Sequence, residues 1–468
     1  MRHGFPWKGL LFVVALVALG IGAFFIFFVK DHKQDFALGS LHVITKVSKF
    51  LPIAEDTKKE IDVVNQLADV VLKKDGVTRT YLILLQNNYE LRPGGGFLGQ
   101  YAIVKVKDGV VLSTFVEDAN LLDQRIKAKD IKITPPYPLT RKLGLKRWML
   151  RDSNFSPDFP TNADKAEYFY RLSGGGQKFD VVIGVNALVF DHVLKITGPI
   201  QAPGYSTTFS YPDGALKLEE VVEKAYLGDD VAAELKQARK NIMKSLATEI
   251  VRRLTVVDKV PAVIELVLSE LREKNVMIYF KDKAIQDLVA SVRWDGTVDT
   301  TWDGDYLMLV DANMGALKTD YFMKRTLEYV ADFTGEKPMG YLTYTYRNTA
   351  TYGDWRTSDY HTYLRAYVPK GAKLVERKMV SFPLTDEAFN KTYFGVFVDT
   401  LINGTTVGFM SYELPANITP EAYKLKIQKQ SGVGTIPVKV TVKTKNGEHT
   451  QSADLQKDLV MSFQEVEE

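Results

Sequence analysis

Between Gly9 and Val29 lies a run of twenty-one residues with no charged side chain and no proline. Coiled as a helix it spans about 30 Å, one hydrocarbon thickness. The run reads as a transmembrane helix over residues 9–29, behind a short basic tail, residues 1–8, that carries Arg2 and Lys8. A cleaved signal peptide is the rival reading, since a basic start and the small residues Ala18, Gly20 and Gly22 suit one. The apolar stretch Phe24 to Val29 beyond those small residues favours the uncleaved anchor. The basic tail favours a cytoplasmic N-terminus, although Lys30 and Lys33 nearly balance it. No later segment holds so long an apolar run, so the rest of the chain is expected to form a body on one side of a membrane, the extracytoplasmic one.

Charge and cysteine usage exclude several classes of function. Lys plus Arg is 60 against 57 for Asp plus Glu, and the excess lies within the first thirty residues, at Arg2, Lys8 and Lys30. A balanced body is not a general phosphate-coating nucleic-acid binder. Cysteine is absent, which removes disulfides, thiol nucleophiles and thiolate metal sites. The six histidines (His3, His32, His42, His192, His361 and His449) never pair at helical ligand spacing.

Hydrophobic periodicity divides the body. Residues 30–77 carry Ile61, Val64, Leu67 and Val71 at helical spacing and read as a helical stalk. Residues 78–334 read as an α/β domain: a strand at Tyr81–Leu85, a hairpin of Tyr101–Val106 and Val110–Val116 about Asp108-Gly109, and a strand at Phe179–Val185. Helices are expected at Ala187–Ile196, Val231–Leu254, Ala262–Glu273 and Asp320–Val330, with a strand at Tyr306–Val310. Residues 335–468 hold only short strands between Gly, Pro and Asn turns, the pattern of an antiparallel β-sandwich.

The richest segment is QNNYELRPGGGFLGQY, Gln86 to Tyr101. Gly94, Gly95 and Gly96 permit backbone approach that a side chain forbids, and Arg92 carries a planar donor fork suited to phosphate or carboxylate. The alternative is an irregular turn in which Arg92 pairs internally with Glu90 or another acid. Gly94, Gly96 and Gly99 also spell G-x-G-x-x-G, but a strand follows rather than a helix, so a dinucleotide site lacks its helix N-terminus.

This loop, with LRDSNFSPDFPTNADKAEYFY at Leu150–Tyr170 and FDVVIGVNALVFDHVLKITGPI at Phe179–Ile200, resembles the bacterial family called domain of unknown function 4012. The later stretches GDYLMLVDANMGALKTDYF and YKLKIQKQSG are also similar to that family. The family in turn resembles the LytR-CpsA-Psr enzymes, which are membrane-anchored and move glycopolymers from a polyprenyl-pyrophosphate carrier to peptidoglycan. The resemblance implies an α/β fold of that layered type, a place in the cell envelope, and partners drawn from membrane lipid, polyprenyl-pyrophosphate-linked polymer or cell-wall polysaccharide.

Carried to this chain, the resemblance puts Arg92 where those enzymes bind phosphate and likens the helix bearing Arg239 to their arginine helix. Arg92, Arg151 and Arg239 are the candidate anion ligands. Arg92, Asp152 and Asp158 are the candidate catalytic set, with Asp118 and Asp123 in reserve. Those enzymes place a metal-binding aspartate within two residues of the arginine, where this chain has Pro93 and Gly94; a Mg²⁺ ion would need Asp152 or Asp158 instead. Plainer readings stand beside these: a turn for Asp158-Phe159-Pro160, a solvated helix face for Arg239, and core packing for the C-terminal aromatics around Tyr352, Trp355 and Tyr360. The sequence thus leaves two functions open, a protein that binds or transfers lipid-pyrophosphate-linked glycopolymer, and a noncatalytic surface scaffold or adhesion protein that binds polysaccharide or protein through its sandwich.

Overall fold

The computed structural model describes residues 54–201, 206–224, 246, 249–250, 252–254, 259–421 and 423–463. The apolar run 9–29, its basic tail, the first part of the 30–77 segment, Arg239 and most of the Val231–Leu254 segment lie outside these residues. Among the described residues no helix is long and apolar enough to cross a membrane. The chain is a mixed α/β protein that forms two compact units, each assembled from separate stretches. One takes residues up to Gln86, Leu98–Arg125 and Tyr170–Gly296, and the other takes Asn87–Phe97, Ile126–Phe169 and Thr297 onward.

The first unit is built on a five-stranded sheet ordered β3-β2-β1-β4-β7, from β1 (Thr78–Asn87), β2 (Phe97–Lys107), β3 (Val110–Asp118), β4 (Val181–Asn186) and β7 (Val276–Phe280). A two-stranded ribbon, β5 (Ile200–Gln201) with β6 (Thr208–Phe209), stands apart from it. β1 and β4 run parallel, with Tyr81 opposite Val181 and Gln86 opposite Asn186. Both are continuous hydrophobic runs because helices cover their faces. The helix Glu55–Leu72 contributes Val63, Val64, Ala68 and Leu72 to that core, Leu188–Thr197 contributes Val189 and Val193, and Val260–Arg272 contributes Leu266, Val267 and Leu271. The described part of the 30–77 segment is therefore a packed helix of this unit. Leu246, Ile250 and Leu254, from the described part of the expected Val231–Leu254 helix, are buried in the same core. The β2–β3 hairpin turns at Asp108 (φ 51°) and Gly109 (φ 74°), as its Asp-Gly pair requires.

The second unit contains two six-stranded sheets. One is ordered β12-β15-β10-β9-β17-β18, from β9 (Met323–Asp332), β10 (Met339–Asn348), β12 (Lys373–Lys378), β15 (Thr405–Glu413), β17 (Ile436–Thr444) and β18 (Gly447–Leu455). The other is ordered β13-β14-β11-β8-β16-β19, from β8 (Asp305–Asn313), β11 (Tyr360–Pro369), β13 (Leu384–Ala388), β14 (Lys391–Thr400), β16 (Lys424–Ile427) and β19 (Leu459–Ser462). One core joins them: Leu327, Tyr329, Leu342, Met410 and Tyr412 from the first meet Leu364, Ala366, Phe394, Val396 and Leu425 from the second. Pairing is mostly antiparallel, but β8 with β16 and β9 with β17 run parallel.

Asp320–Val330, expected as a helix, is instead a short turn followed by β9. Its buried positions Met323, Leu327, Tyr329 and Ala331 repeat at even spacing while Lys324, Thr326 and Glu328 face water. The period is that of a strand, and pairing on both sides with β10 and β17 overrides the helix-forming Lys, Arg and Glu.

Candidate functional site

The triple-glycine loop enters the second unit as a folded clasp. Within it Phe97 N donates to Glu90 O (2.9 Å) and Gly95 N to Arg92 O (2.9 Å). Gly95 has φ of 124°, open only to glycine. A Cβ on Gly96 would sit 2.3 Å from the carbonyl carbon of Asn87, and one on Gly94 would sit 2.2 Å from Asn162 Nδ2. The glycines thus serve approach by the protein's own backbone and amides. Gly94 N donates to Asn154 O (3.0 Å), Asn154 Nδ2 donates to Gly96 O, and Gln430 Nε2 reaches Arg92 O (3.2 Å).

Arg92 is buried at the centre of this clasp, 1% exposed. Its Nε donates to Asp152 Oδ1 (2.9 Å), Nη2 to Glu90 Oε1 (3.0 Å), and Nη1 to the carbonyls of Leu91 (3.2 Å) and Asn313 (3.1 Å). Burial alone would lower the pKa of Arg92, but Asp152 and Glu90 outweigh it and hold the group cationic. Burial pushes the Glu90 carboxyl up, against the pull of Arg92. Internal pairing, the plainer of the two sequence readings, is the geometry observed.

The remaining candidates separate. Arg151 and Asp152 follow one another in a short 3₁₀ turn, and the guanidinium carbons of Arg151 and Arg92 lie 5.8 and 5.4 Å from the ring centre of Phe97. Arg92, Arg151 and Asp152 are therefore brought together. Asp158 is occupied at the start of the helix Phe159–Leu172: its Oδ2 accepts from Thr161 N (3.1 Å) and Thr161 Oγ1 (2.6 Å), while Oδ1 accepts from Val298 N (3.2 Å). That is a capping arrangement, the turn role weighed for the Asp-Phe-Pro sequence. Among the described residues no group of three acids or histidines is disposed to hold a metal ion.

Sequence reasoning missed a surface of the second unit. An open groove of about 960 Å³ is lined by Tyr137, Arg141, Lys142, Met379, Phe382 and Phe397, among others. Phe382 is 84% exposed, Met379 72% and Tyr137 55%. Lys142 Nζ lies 5.1 Å from the ring centre of Phe397, and the Arg377 guanidinium 5.2 Å from that of Phe382. The contributing segments stand far apart in sequence, so no local pattern announces the groove. By contrast Tyr360, one of the aromatics proposed for a surface, is fully buried with its hydroxyl on Asp320 (2.8 Å). The Trp355 ring is approached by Lys318 and Arg356.

Fold and site together define a mixed α/β protein with a β-rich C-terminal region and a glycine loop built as a structural clasp. Residues 76–225 match the model of the family described as Protein of unknown function (DUF4012), in support of the resemblance drawn from the loop motif. A comparison with curated proteins gives no match.

Proposed function

We propose that this is a membrane-anchored, extracytoplasmic protein of the cell envelope that binds wall polysaccharide through its sandwich and does not transfer it. The likeness to LytR-CpsA-Psr enzymes, if it extended to activity, would require arginines open to a pyrophosphate headgroup. Arg92 instead spends its donors on two carboxylates and two carbonyls of its own chain. This weighs against transfer and for a scaffold that binds.

The groove carries the binding side of the reading. Contiguous apolar patches left in water commonly mark a site that meets a partner. Here exposed Phe382 and Tyr137 offer faces on which sugar C–H groups can stack, and Arg141 and Lys142 supply charge for an anionic polymer. The apolar run 9–29 supplies the anchor.

The test is cosedimentation of the full chain, purified in detergent, with protein-stripped cell walls. Phe382→Ala and Tyr137→Ala are expected to weaken binding several-fold without lowering thermal stability. Wall binding indifferent to both substitutions, or release of polyprenyl phosphate from a lipid-linked polymer, would overturn the proposal.

A further inference from the structure

We infer that a second, smaller site lies beside the clasp, in a cleft of about 250 Å³ lined by Trp148, Ser153, Thr161, Lys165, Arg365 and Tyr393, where a carboxylate or phosphate on a sugar-sized ligand is bound. None of its lining residues belongs to the groove described above, and the inference does not rest on that groove's role.

Arg365 is the reason. Two other arginines of this unit are answered by carboxylates: Arg92 by Glu90 and Asp152, Arg325 by Asp311 and Asp320. Arg365 donates only to neutral oxygens, from Nη1 to Tyr367 Oη (3.0 Å) and from Nη2 to Phe155 O (2.9 Å). Its Nε is buried and has no acceptor. Leaving a charged donor unmet inside a protein costs free energy, and an anion in the cleft would meet it. The guanidinium is held ready by the rings of Phe155, Tyr367 and Tyr393, at 5.3, 5.7 and 6.0 Å.

A second group points the same way independently. Ser153 is 2% exposed and its Oγ has no partner. It sits in the turn after Asp152, fixed in place because Trp148 Nε1 donates to Asp152 O (2.7 Å). Lys165 lies over the Trp148 ring at 4.6 Å, adding a second cation to the wall. Two acids share the cleft. Glu387 is paired with Lys370 (3.5 Å), and Asp386 accepts from Tyr393 Oη (3.3 Å). The cleft therefore offers cationic donors, a hydroxyl, ring faces and an acceptor together. That mixture suits an acidic sugar better than a bare ion. Its volume falls below the range of drug-sized pockets, about 300–1,000 Å³, and selects one sugar residue or a small acid.

Calorimetric titration of the full chain in detergent with glucuronate, inorganic phosphate and glucose tests this. Glucuronate is expected to bind, with glucose about tenfold weaker; Arg365→Gln should cost about tenfold and Ser153→Ala about threefold. Phosphate binding as tightly as glucuronate, with the same loss in Arg365→Gln, would assign the anion to phosphate and uphold the site. Should Arg365→Gln fold poorly, Ser153→Ala and Lys165→Met, both judged by an unchanged melting temperature, carry the test. No binding of any probe at millimolar concentration, or equal binding of glucose and glucuronate indifferent to these substitutions, would overturn it. Phe382→Ala should leave glucuronate binding intact, so failure of the groove and failure of this cleft are separable.

Discussion

Arg92 Nε donates to Asp152 Oδ1 at 2.9 Å across sixty residues of sequence, and the pair locks the triple-glycine loop to the turn that precedes the helix Phe159–Leu172. Removing the cation leaves Glu90 and Asp152 facing each other without compensation. Arg92→Met should lower unfolding free energy by about 3–5 kcal/mol. Urea denaturation measures this, and a loss within error of zero would mean the clasp is not structural.

The loop's glycines are not equivalent. Gly96→Ala drives a Cβ against the backbone of Asn87 and Asn88 and should cost at least about 1–3 kcal/mol, whereas Gly99→Ala, whose Cβ meets nothing within 4 Å, should be nearly neutral. Thermal melts of the two variants side by side decide it.

Arg325 lies between Asp311 Oδ2 (2.9 Å) and Asp320 Oδ1 (2.6 Å) and also donates to Tyr360 Oη (2.9 Å). Arg325→Lys should fail to restore stability, since one ammonium cannot reproduce a planar fork aimed at two separate acceptors. A melting temperature equal to that of the parent protein would refute this.

Asp305 gives a pH signature. It is fully buried, and burial pushes its carboxyl up to about 6 even though Tyr423 Oη (2.5 Å), Tyr329 Oη (2.7 Å) and Tyr306 N (2.7 Å) all donate to it. Its unfolded value is about 3.9. Between these values the folded protein holds a proton that the unfolded chain has released. Stability should therefore fall as pH rises from about 4 to about 6, by up to about 3 kcal/mol, and level off above. The stability difference between the parent protein and Asp305→Asn, measured from pH 4 to 7, should carry this slope; a constant difference would exclude it.

The local elements were legible where pattern and turn chemistry agree. Asp108-Gly109 marks the β2–β3 hairpin, the runs at Tyr81 and Val181 give the two parallel strands, and Pro261 stands at the head of the helix Val260–Arg272. Asp320–Val330 misled because its charged positions favour a helix, while partners on both sides, β10 and β17, make it a strand. Around the loop, the acidic neighbour Glu90 was visible at once. Asn154, Asn162, Asn313 and Gln430, which close the clasp, lie too far along the chain for spacing to link them to Arg92. Arg365 escaped notice for the same reason: an alternating strand of Tyr, Arg and Tyr reads as ordinary sheet, and only the folded arrangement shows that its donors meet neutral oxygens and that its Nε has no acceptor.

The chain passes from one compact unit to the other after Gln86, Phe97, Arg125, Phe169 and Gly296. Neither unit can therefore be excised as a continuous fragment. The segment that matches the family model, residues 76–225, takes strands from one unit and the arginine clasp from the other, and includes neither β7 nor the sandwich strands whose side chains and carbonyls complete them. Expressed alone, it should emerge as an insoluble or protease-sensitive polypeptide, and deletion mapping of activities along this gene product must respect folding boundaries that no linear cut reproduces.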